Sequence, residues 1–130
     1  MLNQIMASRD TELVVAMHGA GLGNVLFSSE STLIELHPYA HSKETYSSLA
    51  YYAGIDYFAW YNQDANSTID NDTSNHYKPS VDSKGAKVGN AHLYWKHKDQ
   101  TIQLSDFETT TWNRFEAHRI HQHGCLCTNT

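Results

Sequence analysis

The first half of the chain is organised around short apolar runs separated by segments with helical spacing. Leu13–Met17 is a run of five apolar residues, which is the length of one buried strand. It passes directly into a glycine-rich turn, after which apolar residues recur at helical spacing across Leu22–Phe27. This pattern predicts a strand, a tight turn and the start of a helix.

Two further strands are predicted by the same alternation. Thr32–His37 is a second apolar run, and Pro38 ends it. The apolar positions of Lys43–Ala53 fall on one helical face, Gly54 offers a C-terminal stop, and Ile55–Trp60 predicts a third strand. The order β-α-β-α-β predicts an α/β fold with a parallel sheet and right-handed crossovers.

The turn after the first strand has the composition of an anion-binding site. Gly19, Gly21 and Gly23 let a ligand approach the backbone, and N–H groups at the head of a helix favour a phosphate. His18 adds a ring donor at the end of the strand. The order G-A-G-L-G departs from the dinucleotide-binding fingerprint and from the P-loop, which disfavours both. A structural alternative stays open, because glycines also serve positive backbone angles and close packing.

Three sequence runs, HGAGLGNVLF, LIELHPYA and YSSLAYYAGIDYFAW, follow one another in this order and together resemble the family 61 glycosyltransferases. The resemblance extends from about Leu2 to Asn62. It implies the two-domain fold called GT-B, with residues 1–61 as the Rossmann-like, donor-binding core of the C-terminal half. Such enzymes move GlcNAc or a pentose from a UDP-sugar to a protein- or glycan-linked hydroxyl with inversion. The third run is most similar to the members that extend O-linked mannose.

The resemblance also implies which residues bind the donor. They lie in the turn and near the end of the second strand: His18, Gly19, Ala20, Gly21, Leu22 and Glu35. The turn would neutralise the diphosphate leaving group, and Glu35 would accept hydrogen bonds from the ribose. His37 departs from the family pattern and receives no role. The general base is expected outside this chain, so no catalytic residue is assigned.

The resemblance implies partners but no permanently bound cofactor. They are the UDP-sugar donor, a glycan or glycoprotein acceptor, and a missing N-terminal domain of the same enzyme. No metal-binding residue is assigned, and dependence on a divalent metal stays open. Nucleic acid is disfavoured as a partner because the net charge is −5 and no basic patch occurs. The alternative is a non-catalytic Rossmann-like remnant or binding module.

Length limits what this chain can do alone. Its 130 residues amount to about one domain, whereas a GT-B enzyme needs two. We therefore expect a fragment of a longer enzyme, inactive when isolated. The expected location is the lumen of the endoplasmic reticulum or Golgi, although this sequence contains no signal peptide and no membrane anchor. Asn66 and Asn71 stand in N-glycosylation sequons, which supports a luminal address.

The second half of the chain is more polar. Residues 62–90 predict a long polar surface loop or a disordered insert. Residues 91–119 predict the strand-and-helix end of the domain. Within them, Thr101–Leu104 predicts a short strand, and a capping box that begins at Ser105 predicts a helix to about His118.

Residues 120–130 predict a flexible tail. Four possible metal ligands alternate along it: His121, His123, Cys125 and Cys127. Their spacing does not match that of the usual structural zinc sites, and the two cysteines are too close to form an unstrained disulfide with each other. No metal is therefore assigned to the tail.

Overall fold

Three parallel strands form the centre of the computed structural model, which describes residues 2–28 and 30–124. They are β1 (Leu13–Met17), β2 (Thr32–His37) and β3 (Asp56–Tyr61), in the order β1-β2-β3. The bounds of β1 and β2 agree with the prediction, and β3 is displaced by one residue at each end. The α/β class and the parallel pairing are therefore confirmed.

Helices precede and connect the strands. The sequence did not predict α1 (Leu2–Arg9), which packs against the first crossover. That crossover is a 3₁₀ helix, Ala20–Phe27, and the glycines inside it disfavour a regular α-helix. The second crossover is α2 (Thr45–Ala53), which starts two residues later than predicted and ends as predicted, at Gly54 with a φ of 69°.

The sheet is covered on both faces. Both crossovers lie on one face, because consecutive right-handed crossovers between adjacent strands return on the same side. Along β2, Leu33, Glu35 and His37 point to this crossover face, and Ile34 and Leu36 point to the opposite face. The buried core residues of the crossover face are Leu22, Val25, Leu33, Ala50 and Ile55. Those of the opposite face are Ile34, Leu36, Trp60 and Phe115.

Residues 62–90, for which the sequence predicts a long polar surface loop or a disordered insert, are mostly exposed and contain short elements of secondary structure. The region up to residue 100 contains short elements, which are in chain order a 3₁₀ turn (Ala65–Ser67), β4 (Thr68–Ile69), α3 (Asp72–His76), β5 (Ser80–Val81), β6 (Lys87–Val88), α4 (Ala91–His97) and β7 (Asp99–Gln100). β4 pairs antiparallel with β7, and β5 with β6. Polar side chains order the region: Asn71 and Asn90 cap α3 and α4, and Asp82 accepts N–H groups of the turn between β5 and β6.

The C-terminal region is helical and covers the opposite face. It consists of α5 (Leu104–Phe107), a π-helical turn (Glu108–Trp112) and α6 (Asn113–Gly124). It is joined to the sheet by the Trp60 indole, whose Nε1 donates to Asp106 at 2.7 Å. The side chain of Thr111 donates to the Ala59 carbonyl at 3.1 Å.

Two predictions for this region are wrong. Residues 101–103 form no strand and Leu104 is helical, because pairing with β4 ends at Gln100. The capping box is also wrong: Gln103 precedes the helix, without a side-chain cap, and Ser105 lies within its first turn. α6 continues to Gly124, so residues 120–124 are helical, and residues 125–130 lie outside the described residues. Within the described ranges, no helix has the length and apolarity required to cross a membrane.

Candidate functional site

A polar cluster lies at the carboxyl end of the sheet, on the crossover face. We call it the His–Glu cluster: His18, Glu35, His37 and Tyr57. Its members come from all three strands or from the residue directly after one. His18 extends β1, since its N–H donates to the Leu36 carbonyl at 2.9 Å. Because side chains alternate along strands, these four residues reach the same side of the sheet.

Glu35 is the centre of the cluster and has no solvent exposure. Its neighbours in register are Ala16 on β1 and Ala59 on β3, which leave space beside the carboxyl group. Glu35 Oε1 accepts a hydrogen bond from His18 Nδ1, and Oε2 accepts one from the Tyr57 hydroxyl at 2.6 Å. A buried carboxyl group is therefore fully engaged by partners from both neighbouring strands.

The electrostatics of the cluster keep Glu35 charged and Tyr57 protonated. Burial acts to raise the pKa of Glu35, but hydrogen bonds from His37, Tyr57 and His18 outweigh it, so that this pKa is lowered. The pKa of Tyr57 is raised well above its usual value, first by burial and then by its bond to Glu35. At neutral pH, Tyr57 is therefore a hydrogen-bond donor to a charged Glu35 carboxylate.

His37 is a member of the cluster that the sequence analysis left without a role. Its Nε2 lies 3.4 Å from Glu35 Oε2 and 3.3 Å from the Tyr57 hydroxyl. Its ring stacks on Tyr61 with a centroid distance of 4.5 Å and an interplanar angle of 10°. Glu35 and His37 are two residues apart on a strand, as are Tyr57, Ala59 and Tyr61. A period of two could therefore have placed them on one face, had β3 been aligned with β2.

A second pair of histidines borders the cluster. The ring of His41 lies 4.8 Å from that of His18 and 4.2 Å from that of His92. Both His41 nitrogens are buried and have no hydrogen-bond partner among the residues that the structure describes. Burial first, and then electrostatic repulsion from His92, His18, Lys96 and Lys43, lowers the pKa of His41 to about 4. His41 is therefore neutral at physiological pH.

The glycine turn lies next to the cluster, directly after His18. Gly19 has extended backbone, and the first helical bond runs from the Leu22 N–H to the Gly19 carbonyl at 3.0 Å. A Cβ built on Gly21 or Gly23 meets nothing within 4 Å, and neither glycine is among the residues with positive φ. Packing and backbone strain therefore do not explain glycine at these two positions. The side chain of Leu22 is buried in the core, so this residue could contact a ligand only through its backbone.

Three atoms of the His–Glu cluster are close enough to hold a metal ion. The donor atoms of His18, Glu35 and His37 all lie within 4.8 Å of one another, and two imidazoles with a carboxylate form a ligand set that zinc accepts. The His18 and Glu35 atoms already bond each other, however. In the tail motif, the side chains of His123, Cys125 and Cys127 lie outside the described residues.

Two open clefts share Tyr61, the residue whose ring stacks on His37. The larger cleft has a volume of about 660 Å³, which is the size of a small-molecule site. Its other lining residues lie between Ser42 and Ser48. The smaller, about 250 Å³, includes His41. The predicted donor-binding turn lines neither of these two clefts.

The two glycosylation sequons lie in different environments. Asn66 is exposed, and among the residues that the structure describes only its backbone N–H forms a hydrogen bond, to Asp64. Asn71 is half-buried and caps α3, and its side-chain Nδ2 donates to the His97 carbonyl at 2.8 Å and to Asp99 at 3.0 Å. The nitrogen that a glycan would occupy is therefore engaged at Asn71 but not at Asn66.

Comparison of the chain with protein-family models, with curated proteins and with solved structures finds no match. The fold and the cluster define the class of protein: an α/β protein with a three-stranded parallel sheet and a buried His–Glu pair at its carboxyl edge.

Proposed function

We propose that this chain is the sugar-nucleotide-binding part of an inverting glycosyltransferase of the GT-B type. It would bind a UDP-sugar and transfer GlcNAc or a pentose to a protein- or glycan-linked hydroxyl. An N-terminal domain of the same enzyme would complete the active site, in the lumen of the endoplasmic reticulum or Golgi. The observation that carries the proposal is the glycine turn at the carboxyl end of β1, with Gly21 and Gly23 open to the outside.

The physical support comes from the position of this turn. Ligands of parallel α/β sheets bind beyond the carboxyl ends of the strands, where the chain turns into the next helix. The N–H groups of Ala20 and Gly21 precede the first helical hydrogen bond, so they are the orphan donors that a helix start offers to an anion. A diphosphate leaving group gains negative charge as the glycosidic bond breaks, and donors fixed in advance stabilise that charge.

The ribose contact expected for Glu35 is harder to accommodate. Its carboxylate has no exposed surface, and both oxygens accept hydrogen bonds from His18 and Tyr57. A direct contact with a ribose would require one of these bonds to open. In the proposed complex, the donor is therefore held chiefly by His18 and by the backbone of residues 19–22.

Substitution of Gly21 by valine tests the proposal. The added side chain has free space in the protein, so we expect the fold to survive, but it would cover the backbone N–H groups of the turn. Calorimetry with UDP should then show affinity reduced by at least about tenfold, the equivalent of one lost charge-assisted hydrogen bond. Ala86→Val, in the exposed turn before β6, is the matched control and should bind UDP as the wild type does.

Two results would contradict the proposal. Wild-type affinity for UDP in a folded Gly21→Val variant would place the phosphate site elsewhere. Absence of UDP binding by the wild-type chain, alone and when extended at its N-terminus, would favour the alternative of a non-catalytic remnant or binding module. One observation favours this alternative: both carboxylate oxygens of Glu35 already accept hydrogen bonds, one from His18 and one from Tyr57.

A further inference from the structure

We propose that the His–Glu cluster binds a zinc ion, with His18, Glu35 and His37 as the protein ligands. This site goes beyond the donor-binding function and does not depend on it. The observation behind it is that one donor atom of each of these three residues lies within 4.8 Å of the other two. Two imidazoles and one carboxylate are a ligand set that zinc accepts, and imidazole favours zinc over magnesium or calcium.

The two imidazoles meet the same carboxylate on different oxygens. His18 Nδ1 bonds Glu35 Oε1, whereas His37 Nε2 lies 3.4 Å from Oε2. Two ligand atoms of one tetrahedral zinc ion lie roughly 3.4 Å apart, because each bond to the ion is about 2.1 Å long. The ion can therefore enter with small side-chain movements, in which the direct bond between His18 and Glu35 is replaced by two bonds to zinc. With zinc on Nδ1, the proton of a neutral His18 ring lies on Nε2.

The charge of Glu35 favours a cation at this place. The carboxylate has no solvent exposure, and hydrogen bonds keep it ionised. Within the described ranges, the groups that form ion pairs with it are the two histidines, and neither is a permanent cation as a lysine or arginine would be. Buried charges in proteins are paired with opposite charges or coordinate metals. A divalent ion between the two histidines would supply the missing positive charge.

The surroundings hold the three ligands in place. The Tyr57 hydroxyl donates to Glu35 Oε2 at 2.6 Å, which is the kind of contact that orients a ligating carboxylate. The His37 ring is fixed by stacking on Tyr61 at 4.5 Å. His18 follows β1 and the other two ligands lie on β2, so that zinc would cross-link two strands at the carboxyl edge of the sheet. The bound ion should therefore stabilise the protein.

The test has to separate this cluster from the tail, which contains four other potential zinc ligands. All measurements are therefore made in the full chain with a tail variant that removes them: His121→Asn, His123→Asn, Cys125→Ser and Cys127→Ser. In this background, His37→Phe removes one ligand and keeps an aromatic ring for Tyr61. His76→Phe, in the exposed helix α3, is the matched control because it removes a histidine outside the cluster.

Four measurements report on the site. Calorimetry with Zn²⁺ in excess Mg²⁺ gives the affinity for zinc. The spectrum of bound Co²⁺ reports the ligand type, because thiolate ligands add an intense charge-transfer band that imidazole and carboxylate lack. Histidine ¹⁵N NMR shows which ring nitrogens the ion perturbs. Thermal unfolding with Zn²⁺ and with a chelator verifies the fold of each variant and measures the stabilisation.

We expect the tail variant to bind Zn²⁺, to unfold at a higher temperature when zinc is present, and to give a Co²⁺ spectrum without the thiolate band. His37→Phe should lose more than about 100-fold in zinc affinity, because loss of a mere partner of a ligand already costs about 10- to 100-fold. Tyr57→Phe removes such a partner and should lose about tenfold, whereas His76→Phe should bind as the tail variant does.

Three results would overturn the inference. One is absence of Zn²⁺ binding by the folded tail variant, or binding that excess Mg²⁺ abolishes. Another is unchanged zinc affinity in a folded His37→Phe variant. Should His37→Phe not fold, NMR of the tail variant decides: Zn²⁺ must perturb Nδ1 of His18 and Nε2 of His37 more than the nitrogens of His76, and the reverse would be the third result. UDP binding, measured with a chelator present, is decided independently of all three.

Discussion

At the scale of the residue, the site depends on buried groups whose charge is set by their neighbours. Hydrogen bonds keep Glu35 ionised against the effect of burial, whereas burial and then the bond to Glu35 keep Tyr57 protonated. His41 is the opposite case, because it is buried without any hydrogen-bond partner in the described residues and lies near two lysines and two other histidines. A buried imidazole in such a place is stable only when neutral. Its titration should therefore appear in the stability of the protein.

We predict that the protein loses stability between pH 7 and pH 5 because of His41. Its pKa is about 4 in the folded protein and about 6.5 when unfolded, so the unfolded state takes up the proton first as the pH falls. The free energy of unfolding should drop by about 2 kcal/mol between pH 7 and pH 5 from this group alone. Urea denaturation at both pH values measures the drop.

His41→Phe keeps an aromatic ring and removes the titration, so its stability should depend less on pH over the same range. His76→Phe, at the end of the exposed helix α3, is the control and should retain the wild-type dependence. An unchanged pH dependence in His41→Phe would show that another group carries it.

The residues of the site were predicted unevenly. The turn could be singled out because it follows the apolar run Leu13–Met17, and Glu35 because it is the one carboxylate in the second apolar run, Thr32–His37. His37, Tyr57 and His41 could not be assigned in the same way, because their roles depend on which strands are neighbours and in what register. The register pairs Glu35 with Ala16 and Ala59, and it cannot be read from a local stretch of sequence.

At the scale of the element, the pattern of apolar residues predicted the three central strands and α2. It did not predict the short elements of residues 62–90. β2 has the predicted bounds because its apolar run is buried between two cores, and β1 agrees with the prediction although two of its side chains are exposed. Residues 62–90 were predicted as a loop because they contain few apolar residues. Their short helix α3 instead depends on a capping box, in which Asn71 and Ser74 bond each other's backbone N–H. A short helix that is stabilised by polar caps cannot be recognised from the spacing of apolar residues.

The same cap leads to a prediction about glycosylation. The Asn71 side chain is engaged with His97 and Asp99, whereas the Asn66 side chain is exposed and unbonded in the described chain. We expect a glycan on Asn66 and none on Asn71 when the protein passes through a secretory pathway. Loss of an electrophoretic shift in Asn66→Gln, but not in Asn71→Gln, would agree. Enzymatic deglycosylation provides the reference, and occupancy of Asn71 would refute the expectation.

At the scale of the whole molecule, the sheet has an incomplete edge. The C-terminal helical region contacts β3, and β1 is the outermost strand on the other side. There Val15 and Met17 point to the opposite face and are 45% and 37% exposed. Apolar side chains in this position stay in contact with water, at a cost of roughly 25 cal/mol for each Å² that a neighbouring domain would bury. The proposed N-terminal domain of a GT-B enzyme would be such a neighbour.

We therefore predict that the chain alone binds UDP but transfers no sugar. Transfer requires the donor phosphates on one side of a cleft to coincide with an acceptor and a general base on the other, and the proposed base lies outside this chain. The experiment is to express the chain alone and with its coding sequence extended upstream, and to measure turnover of UDP-GlcNAc and UDP-xylose on hydroxyl acceptors. We expect transfer only by the extended protein, which should also unfold at a higher temperature because its apolar surface is better covered.

Robust transfer by the 130-residue chain would refute the two-domain proposal. Failure of the extended protein with every donor, despite UDP binding, would instead identify a module that binds nucleotides without catalysing transfer.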